Sequence, residues 1–495
     1  MMLLYIFILF FALAISSFFI KKHAREFSAI SLILLLLIFI AYSIDIFSGY
    51  KGGFIASNDI VIGKYTAPGI IMELNFSTAL DGFTDVLVIM SMFIALFAVM
   101  IGRTTYSPEF YGWIMLSGMG LMGLFISRNF LFFYIFWEAV LIPLFFLISR
   151  YGKENREKSA FKFFIYMHVG SLFLMLSIFT LAMFYFYHYH LFTLQIGLLM
   201  QYSFLKTVPG FYLAFAMFGF LLAFFLKLPS FPLHAWLPDA HANAPYSGSV
   251  MLSGALLPMG AYGLLGILEP VYRIFPKILA YGIISLGIFS LIYLAFAAMS
   301  QTNLKRMAAY ASASDMSFIT IAFGTSMLSH GYVAIMDISG GMYQIIGHSF
   351  IVALVFGSIA YMERKTGTIN RHMLGGINRE IPYVSFFVVA GMLGSMGMPP
   401  LSEFIGEVSI IISSFQSIGL ISIFIIVQVI LATSYMTYTI QQSIFGIYNE
   451  RLGKLKDINR KEIGILSVIL VASVILGVYP SPFFHILVSY SSSII

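Results

Sequence analysis

The 495-residue chain contains no cysteine. That excludes disulfides, thiolate metal sites and iron–sulfur ligation within it. Charge is nearly as scarce: only 10% of residues are Asp, Glu, Lys or Arg, against about a quarter in a typical soluble domain. Too little polar side chain is available to clothe a water-facing surface, so most of the outside must face lipid. No phosphate-binding loop, dinucleotide fingerprint or nucleophile elbow stands in a supporting context. The formal net charge is +6, but the basic residues lie in short loops between apolar runs. Membrane topology accounts for them there, and no nucleic acid is implied.

What the chain has is apolar length. Hydrophobic residues make up 60% of it, and the mean hydropathy is +0.95. A spanning helix needs about 20 mostly apolar residues. By that rule fourteen candidates are centred near residues 11, 38, 92, 118, 140, 175, 219, 256, 288, 316, 349, 395, 432 and 470. The predicted fold is all-α, a polytopic membrane protein of about 14 transmembrane helices. The 29 Tyr, 52 Phe and 28 Met residues read as lipid-facing and interhelical packing. The first run, MLLYIFILFFALAISSFFI, carries its basic residues (Lys21, Lys22, Arg25) after it. That order is wrong for a signal peptide, so it is expected to remain as a span with the N-terminus outside. In this orientation 20 of the 27 Lys and Arg residues fall in cytoplasmic loops. Another 6 (Lys51, Lys64, Arg128, Lys206, Arg273, Lys277) fall in outer loops, and Lys227 lies inside a span. The bias follows the positive-inside rule and supports an even number of spans, both termini outside. The outer segment at roughly 49–80 is too short and too apolar to be a soluble domain, so a single transmembrane domain is expected.

Two spans are interrupted alike. The seventh reads FLLAFFLKLPSFPLHAWLP, with Pro229, Pro232 and Pro238; the twelfth reads GMLGSMGMPPLSEFIGEVS, with Pro399 and Pro400. Proline removes a backbone donor and clashes with the preceding turn, so a helix holding several must open. Opened backbone at membrane depth survives only where protein or trapped water satisfies it. The breaks are five spans apart, which suggests two inverted five-helix repeats, at 110–268 and 269–445. Three N-terminal helices (1–109) and a C-terminal helix (446–495) flank them. Paired broken helices in inverted repeats point to a transport site; ordinary kinks are the plainer alternative.

An unneeded charge at the bilayer centre is costly, and several ionisable residues sit there. Glu138 lies mid-span in LFFYIFWEAVLIPLFFL, Lys227 just ahead of the seventh-span break, and Glu407 after the twelfth-span break with Glu403 one turn before it. A Glu138–Lys227 pair would be poised between charged and neutral forms, burial opposing charge and the partner favouring it. A fixed ion pair tying two helices is the alternative. His348, in GMYQIIGHSFIVALVF, is mid-span between the broken helices and suits a proton relay or a simple interhelical hydrogen bond. Asp315 and His168 lie nearer span ends, in positions suited to proton uptake or to capping. The pairs His234/His241 and His188/His190 invite a metal, but neither has a third ligand at convincing spacing. A stand-alone solute transporter would need substrate-matched polar groups around an aqueous pocket. A membrane-embedded transferase would need clustered acids near an interface. The row of acids and bases fits both poorly.

The stretch FFLKLPSFPLHAWLPDAHANAPYSGSVMLSG (Phe224 to Gly254) resembles the signature of the antiporter-like membrane subunits of respiratory complex I and its relatives. Within it, PDAH followed by AP and GSV is similar to the M-type subunit. FWEAVLIPLFFL around Glu138, SQTNLKRMAAYASASDMSF from Ser300 and GMPPLSEFIGE also match, in the same order, over roughly residues 80–445. The resemblance implies fourteen spans with outer termini. It implies a proton pathway of Glu138, Lys227, His348 and Glu407, with Asp315, His241, Glu403 and His168 as further candidates. Two positions depart from the family: Pro258 stands where an eighth-span lysine is usual, and Asp315 where histidine is frequent. The implied role is a proton-translocating subunit of an NADH-quinone-type oxidoreductase in a prokaryotic cell membrane, among other membrane subunits. NADH or another donor, FMN, iron–sulfur clusters and quinone would sit in partner subunits, with no cofactor or metal in this chain. A Na+/H+ antiporter or membrane-bound hydrogenase complex is the alternative setting.

Overall fold

The structure, a computed structural model, describes residues 2–47, 56–67 and 70–495. Lys51 and much of the outer segment near 49–55 therefore lie outside the described residues. Helices α1 (Met2–Ser17), α2 (Ala24–Phe47), α3 (Gly82–Ile101), α4 (Pro108–Ile126), α5 (Phe130–Ala139), α6 (Leu141–Tyr151) and α7 (Arg156–Tyr189) come first. Two single turns follow, α8 (Ile196–Leu199) and α9 (Tyr202–Leu205). Then come α10 (Gly210–Lys227), α11 (Leu237–Asn243), α12 (Tyr246–Met251), α13 (Leu257–Tyr262), α14 (Lys277–Met299), α15 (Leu304–Ser326) and α16 (Tyr332–Thr366). The chain ends with α17 (Pro382–Gly394), α18 (Glu403–Ile418), α19 (Ile423–Ile440), α20 (Arg460–Val478) and α21 (Ser481–Ile494). Among the described residues eleven helical stretches are long and apolar enough to cross a membrane, and Met2–Ser17 and Pro382–Gly394 are shorter apolar helices.

The all-α expectation holds for the membrane part, with two additions. Strands β1 (Ala56–Ala67) and β2 (Ile70–Leu80) form an antiparallel pair, joined in parallel by β3 (Leu191–Phe192). A further helix, α21, follows the last apolar run and packs on α16 through a 3.0 Å Ser339–Ser491 hydroxyl contact. Neither had a strong signal, because short outer elements show no 20-residue apolar run.

Lipid exposure and burial divide cleanly between helices. On α7, Phe161, Ile165, Val169, Leu172, Leu176, Phe179 and Met183 are exposed, a stripe at helical spacing that faces the hydrocarbon. α16 is the opposite case, with every residue from Asp337 to Met362 buried. Lipid tails are as apolar as leucine, so close packing and hydrogen bonds, not water exclusion, hold such a helix in place.

The proline-rich segments break the helices as expected. α10 stops at Lys227 and α11 resumes at Leu237; α17 stops at Gly394 and α18 resumes at Glu403. Two further irregularities were not foreseen. The helix around Glu138 is interrupted at Val140, between α5 and α6. Around Pro258, the π-helical turns Leu252–Leu256 and Gly263–Leu268 flank α13. A π-turn widens the helix and is frequent at functional sites.

Candidate functional site

The site is built where α18 begins. Gly347 of α16 lets the start of α18 come in: a Cβ there would lie 2.7 Å from the Ser402 carbonyl oxygen. Ser402 Oγ donates to the Gly347 carbonyl at 2.9 Å, which pins the opened end of the broken helix against α16. The next residue, Glu403, thereby brings Oε1 to 2.6 Å from His348 Nδ1. The other ring nitrogen, Nε2, is 2.8 Å from Ser312 Oγ of α15. Ser312 Oγ donates to Ser253 Oγ at 3.3 Å. Ser253 lies in the π-turn before Pro258 and is 3.0 Å from His241 Nε2 of α11. His241 stacks flat on Phe356, ring centroids 4.8 Å apart.

His241, Ser253, Ser312, His348 and Glu403 thus form one hydrogen-bonded run through five elements, each of its members buried. A neutral imidazole offers one donor and one acceptor, and a hydroxyl offers both. A proton can therefore be taken up at one end and given out at the other. Pro258, where the resemblance leads one to expect a lysine, follows five residues after Ser253 and is not a member of the run.

Asp315, one turn after Ser312 on α15, joins the acidic end. One ligand atom each from Asp315, His348 and Glu403 lies within 4.8 Å of the others. Among the described residues this is the group whose donors could close on a cation, and it is not the histidine pairing considered from the sequence. Gln428 Nε2 donates to Asp315 Oδ1 at 3.0 Å, whereas Asp315 Oδ2 and Glu403 Oε2 have no partner. Glu407, one turn along α18, is buried against Gly397, whose φ of +67° needs glycine and whose missing Cβ leaves room for the carboxylate.

The expected Glu138–Lys227 pair does not form. Glu138 Oε2 lies 3.2 Å from His168 Nδ1, with side chains 21% and 45% exposed, at the edge of this chain. Lys227 is buried and donates to the Trp137 carbonyl at 3.1 Å. Its Nζ sits 3.5 Å from the centre of the Trp137 ring and 3.6 Å from Met259 Sδ. Neighbouring residues of one turn thus meet different partners: the Glu138 carboxylate meets His168 of α7, and the Trp137 carbonyl and indole meet the lysine. Indole is a good cation–π acceptor in a dry site.

Reading the sequence passed over four polar residues. Ser253 and Ser312 are ordinary residues whose position only the fold reveals. Glu269 and Asp337 carried a visible signal, being acids close to span ends. Ser326 Oγ donates to Glu269 Oε2 at 2.9 Å. Asp337 accepts from Thr325 at 2.8 Å, Ser329 at 2.9 Å and Ser417 at 3.3 Å.

A broken-helix membrane bundle with a buried imidazole–carboxyl run defines the class of ion-translocating membrane subunits, and comparison with known proteins narrows it. Residues 127–433 match the family model described as NADH:quinone oxidoreductase/Mrp antiporter, TM, and the chain belongs to that family. It is 32% identical over 430 residues to F(420)H(2) dehydrogenase subunit M of Methanosarcina mazei, covering 86% of this chain and 85% of that one. It is 30% identical to NADH-quinone oxidoreductase subunit M of Rickettsia conorii, covering 83% and 82%. Its fold matches a chain of respiratory complex I from Thermus thermophilus with a TM-score of 0.82 at 21% identity, over 100% of this chain and 99% of that one. A chain of the archaeal membrane-bound sulfane sulfur reductase matches with 0.83 at 18% identity, over 100% and 96%.

Proposed function

We propose that the chain is the M-type proton-translocating subunit of an NADH-quinone-type oxidoreductase in a prokaryotic cell membrane. Its own side chains carry protons while electrons move in partner subunits. The carrying observation is the hydrogen-bonded run from His241 through Ser253 and Ser312 to His348 and Glu403. Hydroxyls and imidazoles relay protons without net movement of heavy atoms.

On the cytoplasmic side, a cavity of about 220 Å³ is lined by Arg103, Tyr151, Lys153, Tyr246, Glu363 and Arg364, among others. Beneath it Lys305 donates to the Ala244 carbonyl, and His241 lies one turn before Ala244. Protons enter there, pass along the run, and collect at the Asp315–His348–Glu403 cluster, with Glu407 next on the way out. Lys227 makes no hydrogen bond to the run. It is held by Trp137 and Met259 and acts on the run through its charge. A fourteen-span topology with both termini outside and inverted units at 110–268 and 269–445 is supported by the basic-residue bias and by breaks five spans apart. No redox cofactor is assigned to this chain. Among the relatives one name specifies F420H2 and another NADH, and the reading does not depend on the donor.

The test is proton pumping by the parent complex in sealed vesicles. Glu403→Gln and His348→Gln should assemble, keep the shape of the site and lose pumping. If both assembled variants pump like wild type, the run is structural and the reading is wrong.

A further inference from the structure

Beyond Glu407 lies a second polar column that the pathway above does not use. It fills the space between α15, α16 and α18 toward the end where α15 stops and α16 begins. On α16, Asp337, Gln344 and His348 are seven and four residues apart, so they share one face over about 16 Å at 1.5 Å per residue. On α18, Glu407 and Ser414 share a face in the same way, and Ser417 is one turn further. All of these except the half-buried Ser417 are buried.

Two observations single the column out. First, Asp337 is fully buried and yet takes hydroxyl donors from Thr325 and Ser329 at the end of α15 and from Ser417 on α18. Glu269 stands on the adjacent residue, Ser326. Two carboxyl groups are thus held on neighbouring α15 hydroxyls, and among the described residues no lysine or arginine bonds either. Second, among the described residues several buried polar atoms around the column lack a well-formed protein hydrogen bond: both carboxamide atoms of Gln344, which lies beside Glu407, Ser414 Oγ and Glu269 Oε1. A buried polar group left unmade costs about 1–3 kcal/mol, so four such atoms around one column are there for something that visits it. Water is the small partner that serves an amide, a hydroxyl and a carboxyl alike.

We propose that this column is the outward half of the proton path: water-bridged steps from Glu407 past Gln344 and Ser414 to a release site formed by Asp337 with Glu269. The proposal rests on the proton-translocation reading. The proton that leaves Glu407 is taken by column water, protonates Asp337, and is lost to the outer medium past Ser329 and the loop before α16; no bond other than O–H is made or broken. The hydroxyl cage fixes the carboxyl of Asp337 in place whether or not it carries the proton, because serine and threonine can donate or accept.

The cysteine-free sequence makes the column accessible to experiment. Single cysteines at Ser329, Ser417, Ser414 and Ser253 are introduced into the assembled complex in sealed vesicles and treated with a membrane-impermeant thiosulfonate from either side. Labelling from the outer side is expected at Ser329→Cys, more slowly at Ser417→Cys and Ser414→Cys, and not at Ser253→Cys. In parallel, Asp337→Asn should lower the protons pumped per electron at least about fivefold, a lower bound against the roughly hundredfold or larger effect of a lost acid–base group, and Asp337→Glu should restore most of it. No outer labelling of both Ser414→Cys and Ser417→Cys, or normal pumping by assembled Asp337→Asn, overturns the proposal. If Asp337→Asn does not assemble, the labelling series decides alone. Should His348→Gln and Glu403→Gln pump normally too, the translocation reading itself has failed; if only Asp337→Asn does, only the exit has.

Discussion

The two broken helices meet their charged residues in opposite ways. At the first break Lys227 is surrounded by an indole, a thioether and one carbonyl oxygen, and Glu138, the acid expected to pair with it, bonds His168 instead. At the second break Glu403 is hydrogen-bonded to an imidazole that continues through two serines to a second imidazole. One break isolates a charge; the other wires it. The difference follows from the neighbours. Lys227 itself faces α5 and α7, which are rich in phenylalanine and carry lipid-exposed side chains. The second break faces α15, whose sequence from Ala311 to Ser317 is dominated by serine and alanine around Asp315. An isolated charge can be a sensor of its surroundings, while a wired one can be a conductor.

That contrast can be broken from either side. The largest effect is expected at the wire: Glu403→Gln should cut proton pumping by at least about tenfold, a lower bound against the roughly hundredfold or larger effect of a lost proton-transfer group. Glu403→Asp should retain part of it, as read by pH-indicator quenching in vesicles. Lys227→Met comes next. It keeps the length and packing beside Met259 but removes the charge, and should slow pumping severalfold while leaving assembly on native gels unchanged. Smaller still is Trp137→Phe, which removes the better cation–π partner and the indole bond to Ser171. A loss of about 1 kcal/mol is expected from such a contact, measured as a lowered midpoint in thermal unfolding of the solubilised complex. The smallest effect should come from Pro258→Ala. If the run goes through Ser253, pumping stays near wild type; a large loss would put Pro258 back on the pathway.

How much of this was legible in the sequence divides along the same line. The apolar runs, the proline breaks and the costly charges Glu138, Lys227, His348 and Glu407 were all visible, because each is rare at membrane depth. Their partnerships were not. Pro143 marks the interruption, since it cannot bond the Ala139 carbonyl four residues back, but spacing could not show that Glu138 would meet His168. Nor could it show that the π-turn at Leu252–Leu256 presents Ser253 to both His241 and Ser312. Serine is common in membrane helices and usually bonds its own backbone, as Ser317 does with the Ala313 carbonyl. Only three-dimensional contact distinguishes Ser312 from such neighbours. Glu403 was read as secondary to Glu407, yet it is the residue that touches His348. The sequence also read Glu138 as paired to Lys227, where the fold gives it to His168.

The most direct test of the wire removes a hydroxyl and nothing else. Ser312→Ala and Ser312→Thr would be compared for protons pumped per electron in the assembled complex. Because Thr keeps the hydroxyl between His348 and Ser253, it should pump close to wild type, and Ala should lose most pumping while electron transfer and assembly persist. Wild-type pumping by Ser312→Ala would contradict the account, since it would mean that protons cross this protein without passing between His241 and His348.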